Sequence, residues 1–186
     1  MSKIVHYVHT SLDGFIEGPN GEFDWPMMGP ELSAYSFGLH DRARTFLYGR
    51  RVWDMMAGYW PDVESISDDA HDLAFAPIWR EAAKIVVSTT VDSAGWNTTV
   101  VRTVDELAKL KDRAGSDLLL TGGAGLADAL TEAGLIDEYH AVVHPVLLGG
   151  GKRLFAEGRA RRPLRLVETR MLDNRTVLSV HALTES

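Results

Sequence analysis

Asp117-Leu118-Leu119-Leu120-Thr121-Gly122-Gly123-Ala124-Gly125-Leu126 is the stretch on which the fold turns. Its apolar run, bounded by Asp117 and Thr121, reads as a buried strand. It feeds without a spacer into glycines and a helix that runs to Ala133 and stops at Gly134. A strand passing through a glycine turn into a helix is half of a βαβ unit, so the stretch predicts an α/β domain. Glycines at such a junction let backbone approach a phosphate, while the helix start offers free N–H groups and a positive dipole end. The same residues also suit a plain tight turn. The usual dinucleotide fingerprint is absent: counted from Gly123, the third glycine position holds Asp128.

Working outward, the chain alternates β-rich and helical segments. Lys3–Ser11, Thr45–Tyr48, Lys84–Thr89 and Thr99–Arg102 read as strands, and Glu31–Arg44 and Arg50–Met56 as helices. Thr103 and Glu106 match a capping box that opens a helix closed by Gly115. Leu12–Pro30 carries many glycines and prolines and is expected to be a long functional loop, and Asp62–Pro77 is expected to be irregular or weakly helical. Tyr139–Leu148 reads as a long strand, followed by Gly149-Gly150-Gly151 and a short segment at Leu154-Phe155. Leu164–Leu172 and Thr176–Leu183, joined through Asp173-Asn174, predict a closing antiparallel hairpin. A single domain over residues 1–186 is expected, with a mixed, mostly parallel sheet.

Composition narrows the chemistry. The 186 residues are 45% hydrophobic and 24% charged, as in ordinary globular domains, so a disordered or collagen-like chain is excluded. No apolar run reaches the ~18 to 20 residues of a membrane span, and no signal-peptide pattern opens the chain, so a cytoplasmic protein is expected. The absence of cysteine removes disulfides, thiolate nucleophiles and cysteine-ligated zinc. A net charge of −7 disfavours nucleic acid and leaves a small molecule as the expected partner.

Several residues could carry chemistry. Arg50 and Arg51 follow Gly49 at a helix start, where guanidiniums oppose the dipole unless an anion offsets them, although long side chains there can also extend into water. Ser88 and Thr89 leave a strand at the edge where α/β sheets collect ligands. Three such strand ends suit one polyanionic nucleotide. Asp13 is a candidate proton donor or substrate anchor, or an Asx turn before Gly14. Trp25 could cover a flat ring or pin the loop. His140 and His144 share a strand face, with buried, hydrogen-bonded histidines expected in place of a metal site. Gly149-Gly150-Gly151-Lys152 lacks the Ser or Thr of a Walker loop, since Arg153 stands there. The run Arg159–Arg165 reads as a solvated connector, with a surface anion site as the alternative.

Taken in order, Ser11–Ile16, Gly49–Trp53, Lys84–Thr89, Thr121–Leu126 and Asp137 through Pro145 to Gly151 resemble the dihydrofolate reductase-like family. The branch is the one related to the reductase domain of the riboflavin-biosynthesis deaminase-reductase. The resemblance implies a three-layer α/β/α fold with an eight-stranded sheet and NADPH as hydride donor. It implies that Gly122, Gly123, Ala124, Gly125 and Leu126 hold the pyrophosphate, with a cis peptide possible between the two glycines. Gly49, Arg50 and Arg51 would grip phosphate from the other side, and Ser88 and Thr89 would contact the adenosine 2′-phosphate. His9, Ile16 and Trp25 would border the nicotinamide, with Asp13, Trp25 and Thr121 facing substrate. Val52 replaces a threonine found in typical folate reductases, and the acid nearest the pterin-binding carboxylate is Glu31. The expected activity is reduction of a C=N or C=O carbon, resembling 5-amino-6-(5-phosphoribosylamino)uracil reductase. The alternatives are dihydrofolate reduction and a non-catalytic nucleotide-binding module. A homodimer is expected through the apolar strand Tyr139–Leu148 and the hairpin, placed by the resemblance at the sheet edge.

Overall fold

The computed structural model of the protein describes residues 2–184. Its strands are β1 (Ile4–Ser11), β2 (Phe15–Glu17), β3 (Thr45–Gly49), β4 (Ala83–Val87), β5 (Thr98–Val101), β6 (Leu118–Leu120), β7 (Glu138–His144), β8 (Lys152–Arg153), β9 (Leu164–Leu172) and β10 (Thr176–Leu183). Its helices are α1 (Pro30–Arg42), α2 (Arg50–Tyr59), α3 (Ala70–Glu81), α4 (Val104–Arg113) and α5 (Ala124–Glu132). Eight strands form one sheet in the order β5-β4-β3-β6-β1-β7-β10-β9, and β2 pairs with β8 outside it. From β5 to β7 every neighbouring pair is parallel; β10 runs antiparallel to both β7 and β9. The mixed sheet and its C-terminal hairpin are as the sequence implied.

Strand alternation builds the three layers. Phe46 and Tyr48 of β3 and Leu119 of β6 join Leu32 and Leu39 of α1, Trp53 of α2 and Trp79 of α3 on one face. Leu47, Leu118 and Leu120 join Leu107 of α4 and Ala127 and Leu130 of α5 on the other. Both faces of β3 and β6 are therefore dry, which is why their sequences lack polar alternation. Leu47, Leu120 and Leu130 are each fully buried, a burial that stabilises the fold by roughly 1.5 to 3 kcal/mol per side chain before entropic costs.

Four expectations need correction. Asp62–Pro77 is mostly ordered: residues 60–65 form a 3₁₀ turn and α3 begins at Ala70. Asp69 caps α3 by accepting from the amides of His71 (2.8 Å) and Asp72 (3.3 Å). Its interior Pro77 removes one N–H donor, while buried Ala76 and Trp79 anchor the helix around it. Second, β7 ends at His144, because Pro145 has no amide for the ladder, and it lies between β1 and β10 and so inside the sheet. The edge belongs to β9. Third, the long loop contains β2, tied antiparallel to β8 and by the Leu154 amide to the Gly14 carbonyl at 3.0 Å. Fourth, no cis peptide occurs among the described residues, and Gly122 and Gly123 turn the chain through φ of +98° and +85°.

Candidate active site

The strands β4, β3 and β6 are neighbours that end at the same edge of the sheet, and α2 and α5 start there from β3 and β6. The two helix N-termini meet: a Cβ on Gly49 would lie 3.5 Å from Leu126 Cβ, and one on Gly123 would lie 3.2 Å from Val52 Cγ2. The first amides of each helix have no carbonyl one turn earlier to bond, so two sets of free N–H groups and two positive dipole ends converge. A Cβ on Gly122 would meet nothing within 4 Å, so this backbone faces open space. Such a pair of helix starts could cradle an anion, one of the two readings that the glycine junction allows.

The two arginines diverge. Arg50 donates from Nη1 to the Thr90 hydroxyl at 2.8 Å and from Nε to Asp54 at 3.3 Å. Arg51, with its side chain 75% exposed, turns the other way toward Glu17 of β2 at 3.6 Å. The Ser88 hydroxyl accepts from the amides of Thr90 and Val91, both at 3.2 Å, and so closes the turn after β4. Thr90, more than the expected Thr89, joins the Arg50 network. Arg102, which the sequence reading passed over, reaches the Ser88 carbonyl at 3.3 Å and pairs with Asp92 at 2.8 Å. Its place just past the end of the strand beside β4 was the available signal.

On the α1–α3 face, a line of rings runs across β1 and β7 beneath the long loop. Tyr7 meets His9 edge-on at 5.2 Å, His9 lies 5.1 Å from His144, and Trp25 meets His144 edge-on at 5.5 Å. His9 Nδ1 and His144 Nε2 are 2.8 Å apart. Burial, then the neighbouring His144 and His71, pushes the His9 imidazole down to about 3; burial, then Arg175, pushes His144 down to about 4. Both are neutral at pH 7. His140 is also hydrogen-bonded, to the Tyr35 hydroxyl at 2.6 Å and to Glu138 at 3.1 Å. Thr121 follows β6 at the cradle, close to the buried Tyr48 phenol, which accepts from the Trp79 indole N–H at 3.1 Å. Ile16 sits on β2, partly buried.

Asp13 and Glu31 hold the scaffold. Asp13 accepts from the Ser11 hydroxyl (2.6 Å) and from the amides of Leu148 (3.1 Å) and Gly149 (2.8 Å). These bonds, the Ser11 one foremost, draw its carboxyl down to about 2, so it has no proton to give at neutral pH. Its geometry is that of an anchor for the glycine loop after β7. Glu31 accepts from the Asp173 amide and lines a separate hollow of about 550 Å³ between α1 and β9, with Tyr35 and Arg170. The structure does not bring it to the ring cluster.

Comparison with known proteins agrees with this architecture. A profile of the RibD C-terminal domain family matches residues 2–178. YyaP, an uncharacterized protein of Bacillus subtilis (strain 168), is 33% identical over 184 residues, covering 96% of this chain and 94% of that one. Dihydrofolate reductase from Enterococcus faecalis, solved in complex with NADP(H), superposes with a TM-score of 0.67 at 14% identity over 98% of this chain and 97% of that one. The diaminohydroxyphosphoribosylaminopyrimidine deaminase/5-amino-6-(5-phosphoribosylamino)uracil reductase of Thermotoga maritima superposes with a TM-score of 0.68 at 12% identity, over 98% of this chain and 57% of that one. At these identities the two structures share the dihydrofolate reductase-like fold. No helix among the described residues is long and apolar enough to cross a membrane.

Proposed function

The chain belongs to the RibD C-terminal domain family, and from that premise we propose that it is an NADPH-dependent reductase acting on a C=N or C=O carbon of a small heterocyclic or phosphoribosyl substrate. The model for the substrate is 5-amino-6-(5-phosphoribosylamino)uracil. The observation that carries the reading is the meeting of two helix N-termini, at Gly49 against Leu126 and Gly123 against Val52, beside a guanidinium.

The residues fit the cofactor. Gly122 leaves room for an approaching pyrophosphate, and the amides of Ala124, Gly125 and Leu126 can donate to it. Arg50, Ser88, Thr89 and Thr90 lie at the same edge of the sheet and would meet the 2′-phosphate, and Arg51 could swing onto phosphate because its contact to Glu17 is long and exposed. When bound, NADPH supplies the hydride.

The chain does the rest. His9, Ile16 and Trp25 would border the nicotinamide, and Thr121 would meet the substrate at the end of β6. Trp25 on its loop would cover a flat ring and exclude water. Asp13 would act by fixing Leu148 and Gly149 at the rim. Dihydrofolate is the weaker substrate, because the Glu31 carboxylate that would serve a pterin accepts the Asp173 amide.

We also propose a homodimer, with the surface moved to the observed edge. Val143, Val177 and Met171 lie abreast across β7, β10 and β9, and Val177 and Met171 are 47% and 65% exposed. A second copy would cover this apolar row.

The test of function is NADPH oxidation by the purified protein against a panel including the phosphoribosylaminouracil and dihydrofolate. Turnover of the former above the latter is expected. Tight NADPH binding without turnover of any compound would favour the non-catalytic module.

A further inference from the structure

The parallel register between β1 and β6 pairs His6 with Leu120, where β6 ends, and β1 runs on past that end through His9 to Ser11. Alternation turns His9 toward the α1–α3 face with Val5 and Tyr7. His9 is half-buried, whereas His144 is only 1% exposed. The short Nδ1 to Nε2 contact between them carries one proton, and the surroundings decide whose it is.

His144 Nδ1 is buried with no hydrogen-bond partner among the described residues. If His144 carried its proton there, an N–H would be orphaned in a dry site. A bare ring nitrogen left unpaired is the lesser cost, since orphaned buried N–H groups are the rarer of the two. His144 is therefore protonated on Nε2 and donates to His9 Nδ1. A neutral His9 must then carry its own proton on Nε2. That N–H has no acceptor among the described residues, yet it is not one of the buried unsatisfied atoms, so it is open to a ligand.

We propose that His9 is the electrophile of the reaction, donating a hydrogen bond from a neutral Nε2–H to the oxygen or nitrogen of the substrate's reducible C=O or C=N bond, and that His144 is the positioning residue that fixes this tautomer. The proposal rests on the reductase reading. As the hydride adds to the carbon, the π pair moves onto that heteroatom; a preoriented N–H stabilises the growing charge without reorganisation, and a water molecule supplies the proton that completes the reduction. A neutral imidazole suits this role better than an imidazolium, because a weakly acidic donor stays on its ring while it polarises the acceptor. The site then selects a neutral carbonyl or imine. A preprotonated iminium nitrogen has no lone pair to accept the bond, so it is the wrong substrate class.

The test begins without turnover. In protein labelled with 15N in its histidine rings, His9 and His144 are both expected as neutral Nε2–H tautomers at pH 7, with neither titrating near 6.5. In His144→Phe, His9 is expected to lose its single tautomer, and in His144→Gln, whose amide can still donate to Nδ1, to keep it. With a panel substrate that the wild type reduces, His9→Gln should lower kcat about 100- to 1,000-fold, the range found on removing one oxyanion donor. His144→Phe should lower kcat about tenfold at unchanged KM, and His144→Gln should recover most of it. An Nδ1–H tautomer at His9, or a folded His9→Gln that turns over at the wild-type rate, overturns the proposal while leaving the reductase reading intact. A wild type that oxidises NADPH with no panel compound overturns the reductase reading, and the role of His9 with it.

Discussion

Glu31 and Asp173, at opposite ends of the chain, cap one another. The Asp173 carboxylate accepts from the amides of Glu31 (2.9 Å) and Leu32 (3.0 Å), and Glu31 accepts from the Asp173 amide. Gly29, the residue preceding α1, offers no side-chain cap of its own, so the hairpin turn supplies the missing acceptor from a distance. Asp173→Ala is expected to lower unfolding free energy by about 1 to 2 kcal/mol, the usual worth of a lost cap, read from chemical denaturation. Glu31→Gln should leave reductase turnover within twofold; a loss of a hundredfold or more would return Glu31 to the substrate.

Asp13 is expected to matter to order, not to proton transfer. In Asp13→Ala, amide hydrogen exchange at Leu148 and Gly149 should speed up at least about tenfold, because both amides lose their acceptor. The pH profile of turnover should show no new acidic limb in Asp13→Asn, since the carboxyl is already ionised far below neutrality. Unchanged exchange at both amides would contradict the anchoring role.

Stability should fall with acid, for a reason located in three histidines. Burial foremost holds His6 at about 4, His9 at about 3 and His144 at about 4, against 6.5 when exposed. The unfolded chain therefore binds protons that the native chain does not, so native stability is intact above about pH 6.5 and is lost as the pH drops toward 4. For His6, which is 2% exposed with an unpartnered Nδ1, the difference between 6.5 and about 4 amounts to roughly 3 kcal/mol. Denaturant midpoints measured at about pH 7 and pH 4.5 should differ clearly in the wild type and less in His6→Leu. A flat wild-type profile would contradict the burial of these rings in neutral form.

The dimer is checked by light scattering behind a sizing column, where twice the chain mass of 20.5 kDa is expected. Met171→Lys and Val177→Lys together should give the monomer, as both side chains lie on the exposed row. A wild-type monomer at micromolar concentration would contradict the assembly.

Elements with local punctuation were legible in the sequence. Thr103 accepts from the Glu106 amide at 3.1 Å as a capping box requires, although the Glu106 carboxylate reaches back one residue further than expected, to the Arg102 amide at 2.7 Å. The junction at Gly122 and Gly123 was legible because two glycines between an apolar run and a helical pattern mark a turn, and both residues take positive φ there. What local pattern could not reveal was long-range. Pro77 masked α3, whose anchoring comes from Trp79 packed against Trp53 and Tyr48. The apolar run through Leu148 concealed the end of β7, because Pro145 stops a ladder without altering hydropathy. The contact between His9 and His144 joins residues 135 positions apart, and no spacing rule carries that information.

Binding of a nicotinamide dinucleotide phosphate at the junction of α2 and α5 can be read by calorimetric titration of the wild type and Arg50→Ala with NADPH and NADH. Saturable one-site binding is expected, with NADPH preferred at least about tenfold. Arg50→Ala should lose roughly 10- to 100-fold in NADPH affinity, the worth of one charge-assisted bond, with little change for NADH. Equal affinities for the two cofactors, or no saturable binding of NADPH at millimolar concentration, would contradict it.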